Sequence, residues 1–209
     1  TYGRLEHMKR RILIATGIFP PQMGGPATYS KLLADKLPLN GFLVHVVNFG
    51  EVILLPKVLR HAVYFFKVLL AGMSADIIYA QDPVSVGLPA MLVAKILRKK
   101  LYLKIVGGYA WEQGIQRYGV TDLLDNFSCA CTKYSLPVRF LKRVQLFVAK
   151  RAYKIITPSN YLKKIITNWG VSEDMIEVIY NGFTPPTFSE KKETIREDLN
   201  IRGYTVLSI

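Results

Sequence analysis

Residues 18–29, Ile18-Phe-Pro-Pro-Gln-Met-Gly-Gly-Pro-Ala-Thr-Tyr29, decide the fold class of this 209-residue chain. They follow an apolar run, Arg11-Ile-Leu-Ile-Ala-Thr-Gly17, and precede a helical pattern, Lys31-Leu-Leu-Ala-Asp-Lys-Leu37. A buried parallel strand, a Gly-Gly turn and a helix N-terminus is how α/β folds present backbone N–H groups to an anion. Gly24 and Gly25 have no Cβ, so a phosphate can approach the backbone closely there. The segment is neither G-x-G-x-x-G nor a Walker loop. Taken alone it reads equally as an anion turn or as a plain strand–helix connection.

Outward from this segment, strand and helix patterns alternate. Strands are expected near 11–16, 43–48, 76–80, 101–106, 153–157 and 175–179, and helices near 26–38, 57–71, 84–98, 137–152 and 160–168. Such alternation predicts a Rossmann-like, doubly wound parallel sheet covered on both faces. Asn40-Gly41 closes the first helix, Trp169-Gly170 ends the last, and Ser159 is a natural N-cap. No internal repeat or low-complexity tract interrupts the pattern.

The totals narrow the class. Half the residues are hydrophobic, which excludes a disordered chain, and the length suits one domain with part of a second. No stretch reaches the ~18 uninterrupted apolar residues of a membrane span. The charge-free run from Pro83 to Ala94 reads as a buried helix. The first apolar run is a strand flanked by Arg10 and Arg11, not a secretory signal, so a cytoplasmic location is expected. Cys129 and Cys131 are too close for an easy disulfide and read as reduced thiols. No His or Cys cluster completes a metal site, and neither metal nor cofactor is expected. Residues 1–7, ahead of Met8, have no periodicity and read as a cloning remnant.

The formal charge is +13, and between Asn126 and Ser172 nine Lys or Arg residues stand without one Asp or Glu. Such a field attracts polyanions, either nucleic acid or an anionic membrane. No nucleic-acid motif or aromatic stacking platform is present, so nucleic acid is not expected. Two helices look interfacial. One carries Lys57, Arg60, His61, Tyr64 and Lys67 beside a wide apolar arc that includes Phe65 and Phe66; the other sets Arg139, Arg143 and Lys150 beside Leu141, Val144 and Val148. These are membrane-facing candidates, specifically Lys57, Arg60, Lys67, Arg139, Arg143 and Lys150. An ordinary crossover helix with a solvated basic face has the same pattern.

Four segments in order carry a resemblance. Phe19-Pro-Pro21 with Gly24-Gly25, Tyr79-Ala-Gln-Asp-Pro83, Lys104-Ile-Val-Gly-Gly-Tyr-Ala-Trp-Glu112, and Ile155-Ile-Thr-Pro-Ser-Asn-Tyr-Leu162 followed by Val178-Ile-Tyr-Asn-Gly-Phe183 resemble the N-terminal half of GT-B glycosyltransferases, specifically the retaining family 4 (group 1). The match runs from about Met8 to Phe183. The resemblance implies an N-terminal, acceptor-side domain over 8–183. It implies that 184–209 hold a linker and the first elements of a donor-binding domain, most of which is missing. It further implies transfer of a sugar, with retention, from a nucleotide-sugar to a lipid-linked or polysaccharide acceptor of the cell envelope, at the inner membrane face. These 209 residues alone are then expected to be catalytically silent. The alternative is a non-catalytic Rossmann-like module that docks on membrane or protein.

The same resemblance assigns sites. Gly24 and Gly25 would touch the donor diphosphate or the transferred sugar; Asp82, Gly108, Tyr109, Trp111 and Glu112 would face the acceptor. Asp82 reads equally as an N-cap carboxylate, and Tyr109 and Trp111 equally as core plugs. Relatives often carry Asp at the position of Gly108, or a His in this loop; neither is present, so the loop shapes the site without a clear chemical donor. His45 reads as structural. No catalytic residue is assignable, since positioning and diphosphate stabilisation rather than a side-chain nucleophile drive such a transfer.

Overall fold

The structure, a computed structural model, describes residues 10–129, 133–182, 192–198, 200 and 203. The expected remnant at 1–7, Cys131, the linker from Thr184 to Thr187 and the strand pattern from Tyr204 to Ile209 lie outside the described residues. The Lys57 side chain lies outside them too.

Six strands form one parallel sheet: β1 Arg11–Thr16, β2 Leu43–Asn48, β3 Ile77–Ala80, β4 Lys100–Lys104, β5 Lys154–Thr157 and β6 Ile176–Val178, in spatial order β2-β1-β3-β4-β5-β6. Ile12 faces Val44 on one side and Ile77 on the other, so β1 is flanked by a strand on each side. Parallel strands buried on both faces need continuous apolar runs. Leu13, Ile14, Ala15, Ile78, Leu103 and Ile155 supply them, each fully buried.

The helices are α1 Gly25–Leu39, α2 Lys57–Met73, α3 Gly87–Ile96, α4 Tyr109–Tyr118, α5 Leu124–Cys129, α6 Leu136–Ala149, α7 Asn160–Asn168 and α8 Lys192–Asp198. The chain steps from β1 outward to β2, then crosses back over β1 to β3. Right-handed crossovers then put α1 on one face and α2 on the other. Helix α2 packs beside α3, and α3 beside α6, while α1 packs on β1 and β2. The reversal of direction makes a crevice outside the carboxyl ends of β1 and β3, which is where ligands of open α/β sheets bind.

The caps read from the sequence are in place. Ser159 Oγ accepts the Leu162 amide at 3.2 Å. Gly41 and Gly170, just past α1 and α7, have positive φ. Most boundaries fall within one or two residues of expectation, and three differences are larger. Helix α3 starts at Gly87, because the Asp82 side chain holds residues 82–86 in a turn. Helix α6 stops at Ala149, with Lys150 as its C-cap. The glycine-rich stretch after β4, expected as a loop, is the N-cap and first turn of α4.

Candidate functional site

The carboxyl edge gathers four chain segments: the turn after β1, Gln81-Asp82 after β3, Gly107-Gly108 after β4, and Asn181 after β6. The first begins α1. Gly24 is its N-cap with φ 144°, backbone that L side chains rarely adopt, and no side chain caps the helix. Pro26 occupies the first turn, where a missing N–H is harmless. The positive end of a fifteen-residue helix therefore opens on the crevice.

Asp82 is committed to the backbone. Its Oδ1 accepts the amides of Val84 at 2.7 Å and Ser85 at 2.6 Å, and Oδ2 accepts the Ser85 hydroxyl at 3.0 Å. Burial pushes its carboxyl up, and these hydrogen bonds pull it down without cancelling the burial. Asp82 thus holds the turn ahead of α3 and is not its N-cap, a position that Val86 takes.

Glu112 projects from the first turn of α4 and is exposed. Its carboxylate lies over Gly107, where a Cβ would meet Oε1 at 2.3 Å. Although the residue as a whole is exposed, its carboxylate is pressed against Gly107, and this partial burial, then the charge of Asp82, hold the carboxyl above its usual range. An exposed carboxylate of raised pKa beside a crevice is suited to accept a hydroxyl proton or hydrogen bond.

The remaining residues of this stretch separate. Gly108 is buried, and a Cβ there would stand 2.6 Å from Leu124 Cδ1, so it packs helices together rather than facing a ligand. Trp111 is half-buried between two small clusters, one of Ala110, Val120, Phe127 and Val138, the other of Leu124, Leu162 and Ile165. Its indole N–H donates to the Asp122 carbonyl at 2.8 Å. Trp111 is thus the core plug of the two readings. Tyr109 faces elsewhere. It lines a groove of about 570 Å³ floored by Leu88, Pro89 and Leu92 of α3 and walled by Phe65 of α2 and Phe140 of α6. Burial lifts its phenol above the usual value.

The membrane-facing candidates also divide. Arg60 turns into the same groove, with its guanidinium 5.8 Å from the Phe49 ring centroid. Lys67 pairs with Glu51. Arg143 and Lys150 are exposed, Arg139 is half-buried, and none of the three has an acidic partner among the described residues. Elsewhere in the basic run, Lys133 pairs with Asp122 at 3.0 Å and Lys163 with Glu173 at 2.9 Å. Arg151 donates to the Phe147 carbonyl and stacks on its ring. Outward on α2, Leu59, Phe66, Leu70 and Met73 are 49–65% exposed, and on α6 so are Leu136 and Phe140 at 77% and 64%. His45 is exposed on the edge strand β2.

Sequence reasoning missed a second group at this edge. Lys104, the last residue of β4, and Gln81, just past β3, are 3% and 8% exposed, and with Gly25, Pro26, Tyr29, Val106 and Asn181 they line a small pocket at the start of α1. The available signal was a lysine closing an otherwise apolar strand, Leu101-Tyr-Leu-Lys104. Among the described residues no group of three His, Cys, Asp or Glu side chains comes together to hold a metal, and no helix is long and apolar enough to cross a membrane.

No protein-family profile matches the chain, and no curated protein sequence matches it. Solved structures do resemble its fold. The Anabaena protein Alr3699/HepE in complex with UDP-glucose superposes with TM-score 0.57 at 18% identity, over 91% of this chain and 50% of that one. The same protein with UDP and glucose gives 0.55 at 17% identity, over 90% and 50%. A UDP-GlcNAc 2-epimerase from Methanocaldococcus jannaschii gives 0.50 at 14% identity, over 82% and 45%. This chain spans about half the length of the structures it matches, and at these identities the likeness is one of fold: a Rossmann-like α/β domain.

Proposed function

We infer that the chain is the acceptor-side domain of a GT-B, nucleotide-sugar-dependent glycosyltransferase, passing a hexose with retention to a lipid-linked or saccharide acceptor. The observation that carries the reading is the course of the groove. It lies between α2 and α6 over an apolar floor from α3, and Tyr109, Gln113 and Arg117 of α4 close one side of it. Such a cavity offers a sugar or phosphate group the polar side chains of Tyr109, Gln113, Arg60 and Arg117, and a hydrocarbon tail the apolar floor. The uncapped start of α1 at Gly24-Gly25 would meet the donor diphosphate across the crevice. The outward stripes of α2 and α6 that flank the groove would rest on the inner membrane face.

The fold neighbours support a nucleotide-sugar role, since two of them are complexes with UDP-glucose or with UDP and glucose. In the resembling family a second domain makes most donor contacts, so binding rather than turnover is the readout for this chain. Saturation-transfer NMR with a short-chain polyisoprenyl phosphosugar and a panel of UDP-, GDP- and ADP-sugars tests the reading. Acceptor signals that disappear in the Tyr109→Ala and Leu92→Arg variants are expected, with weaker signals from one class of nucleotide-sugar. Acceptor binding unchanged by both substitutions, or no saccharide binding at all, would overturn it in favour of a docking module.

A further inference from the structure

The small pocket at the start of α1 has an electrostatic imbalance that nothing among the described residues corrects. Lys104 is 3% exposed, yet its ammonium meets only neutral groups: Asn181 Oδ1 at 2.9 Å and the Tyr29 ring, whose centroid lies 3.3 Å away. Both favour a cation, and neither neutralises it. Among the described residues no acidic side chain lines the pocket. Beside it Gln81, 8% exposed, places Oε1 against the hydroxyls of Ser30 at 2.9 Å and Thr16 at 3.3 Å, and its Nε2 has no partner. The N-terminus of α1 adds a third source of positive potential through Gly25. A buried unpaired cation and a buried unsatisfied amide are each unfavourable, and an anion would relieve both at once.

We propose that this pocket is an oxyanion subsite taking one phosphate group, bound by Lys104 Nζ, Gln81 Nε2 and the first amides of α1. Its volume of about 110 Å³ admits a phosphate, and is far below the ~300–1,000 Å³ of whole-ligand pockets. The subsite holds one group of a larger ligand whose remainder lies in the open crevice. It rests on the carboxyl edge being the ligand face, and not on sugar transfer. The phosphate has two possible sources, the diphosphate of a nucleotide-sugar and the phosphate of a lipid-linked acceptor.

Thermal-shift and calorimetric titrations of the full chain, at ionic strength held constant with sodium chloride, test this. Inorganic phosphate and pyrophosphate should raise the melting midpoint. Lys104→Met should weaken pyrophosphate affinity at least tenfold, and Gln81→Glu, which puts a carboxylate in the pocket, should do the same while leaving the fold intact. Lys36→Met, at the far end of α1, should change nothing. No oxyanion binding by the unsubstituted chain, or equal binding by it and both pocket variants, would overturn the subsite. UDP and dodecyl phosphate as competitors identify the source: displacement of pyrophosphate by the first points to the donor, by the second to the acceptor. Lys104-dependent pyrophosphate binding without any nucleotide-sugar or acceptor binding keeps the subsite and removes the glycosyltransferase reading. Nucleotide-sugar binding indifferent to Lys104 does the reverse.

Discussion

Gly108 lies directly beneath Leu124: a Cβ on the glycine would stand 2.6 Å from Leu124 Cδ1 and 3.2 Å from the Trp111 Cβ. The N-cap of α4 and the start of α5 therefore meet where only a hydrogen fits. Gly108→Asp, the residue that relatives in the resembling family often carry, is expected to destabilise the chain by about 1–3 kcal/mol through overpacking. A buried carboxylate without a partner would add to that loss. Denaturant unfolding of the variant measures it. An unchanged midpoint would mean that α5 can shift away from α4 freely.

The turn that Asp82 holds predicts a graded pair of substitutions. Asp82→Ala removes the acceptor for the Val84 and Ser85 amides and should reduce stability by about 1–2 kcal/mol, the usual effect of losing a capping side chain. Asp82→Asn keeps a carbonyl oxygen for those amides and loses the acceptor for the Ser85 hydroxyl, so its loss should be smaller. The order of the two unfolding midpoints checks this. Equal losses would assign the effect to charge instead of capping.

Glu112 gives the site a pH signature. Burial and then Asp82 hold its carboxyl above the usual 4.5, so the folded chain binds this proton more tightly than the unfolded one. Where the folded state carries more protons, stability falls as pH rises. The penalty is absent below pH 4.5 and complete above the folded value. Glu112→Gln cannot ionise and escapes it. Because Glu112 is exposed, the gain at neutral pH should be about 0.5 kcal/mol or less. Unfolding midpoints between pH 4 and 7 should diverge in favour of the variant; parallel curves would mean that folding does not raise the Glu112 carboxyl.

The sheet was legible because its strands announce themselves. Runs such as Arg11–Thr16 and Leu43–Asn48 are short, apolar and bounded by turn residues, and both occur where the pattern puts them. Helix α4 was not legible. Gly114 sits in its middle, where glycine is unfavourable by about 1 kcal/mol, and tertiary packing overrides that propensity. There the glycine permits close approach of Val120, whose Cγ2 would lie 2.9 Å from a Cβ. Helix α5, at six residues, is too short for its periodicity to show. At the carboxyl edge, Gly24 and Asp82 could be singled out because glycine and a strand-end carboxylate carry positional meaning. Lys104 and Gln81 were missed because their importance lies in lacking partners, which only the packed structure reveals.

Membrane attachment makes the last prediction, and the structure changes its balance of forces. Several cations of the basic run are spoken for by Asp122, Glu173 or the Phe147 carbonyl, while Arg139, Arg143 and Lys150 on and at the end of α6 have no acidic partner among the described residues. At ~1 kcal/mol per cation near an anionic surface, Arg139→Glu with Arg143→Glu should weaken vesicle binding by more than about 25-fold. That part of the binding should fade with salt as screening shortens to about 8 Å at physiological ionic strength. The apolar stripe behaves differently. Phe66 and Leu70, 59% and 65% exposed, have no partner layer over them among the described residues, and each would contribute roughly 1.5–3 kcal/mol on insertion into lipid. Phe66→Asp with Leu70→Asp should therefore abolish the binding that survives high salt, while the arginine substitutions leave that remainder intact. Co-sedimentation with neutral and anionic vesicles at two salt concentrations separates the two contributions. Equal recovery of all variants from both vesicle types would show that α2 and α6 are covered by something other than a bilayer.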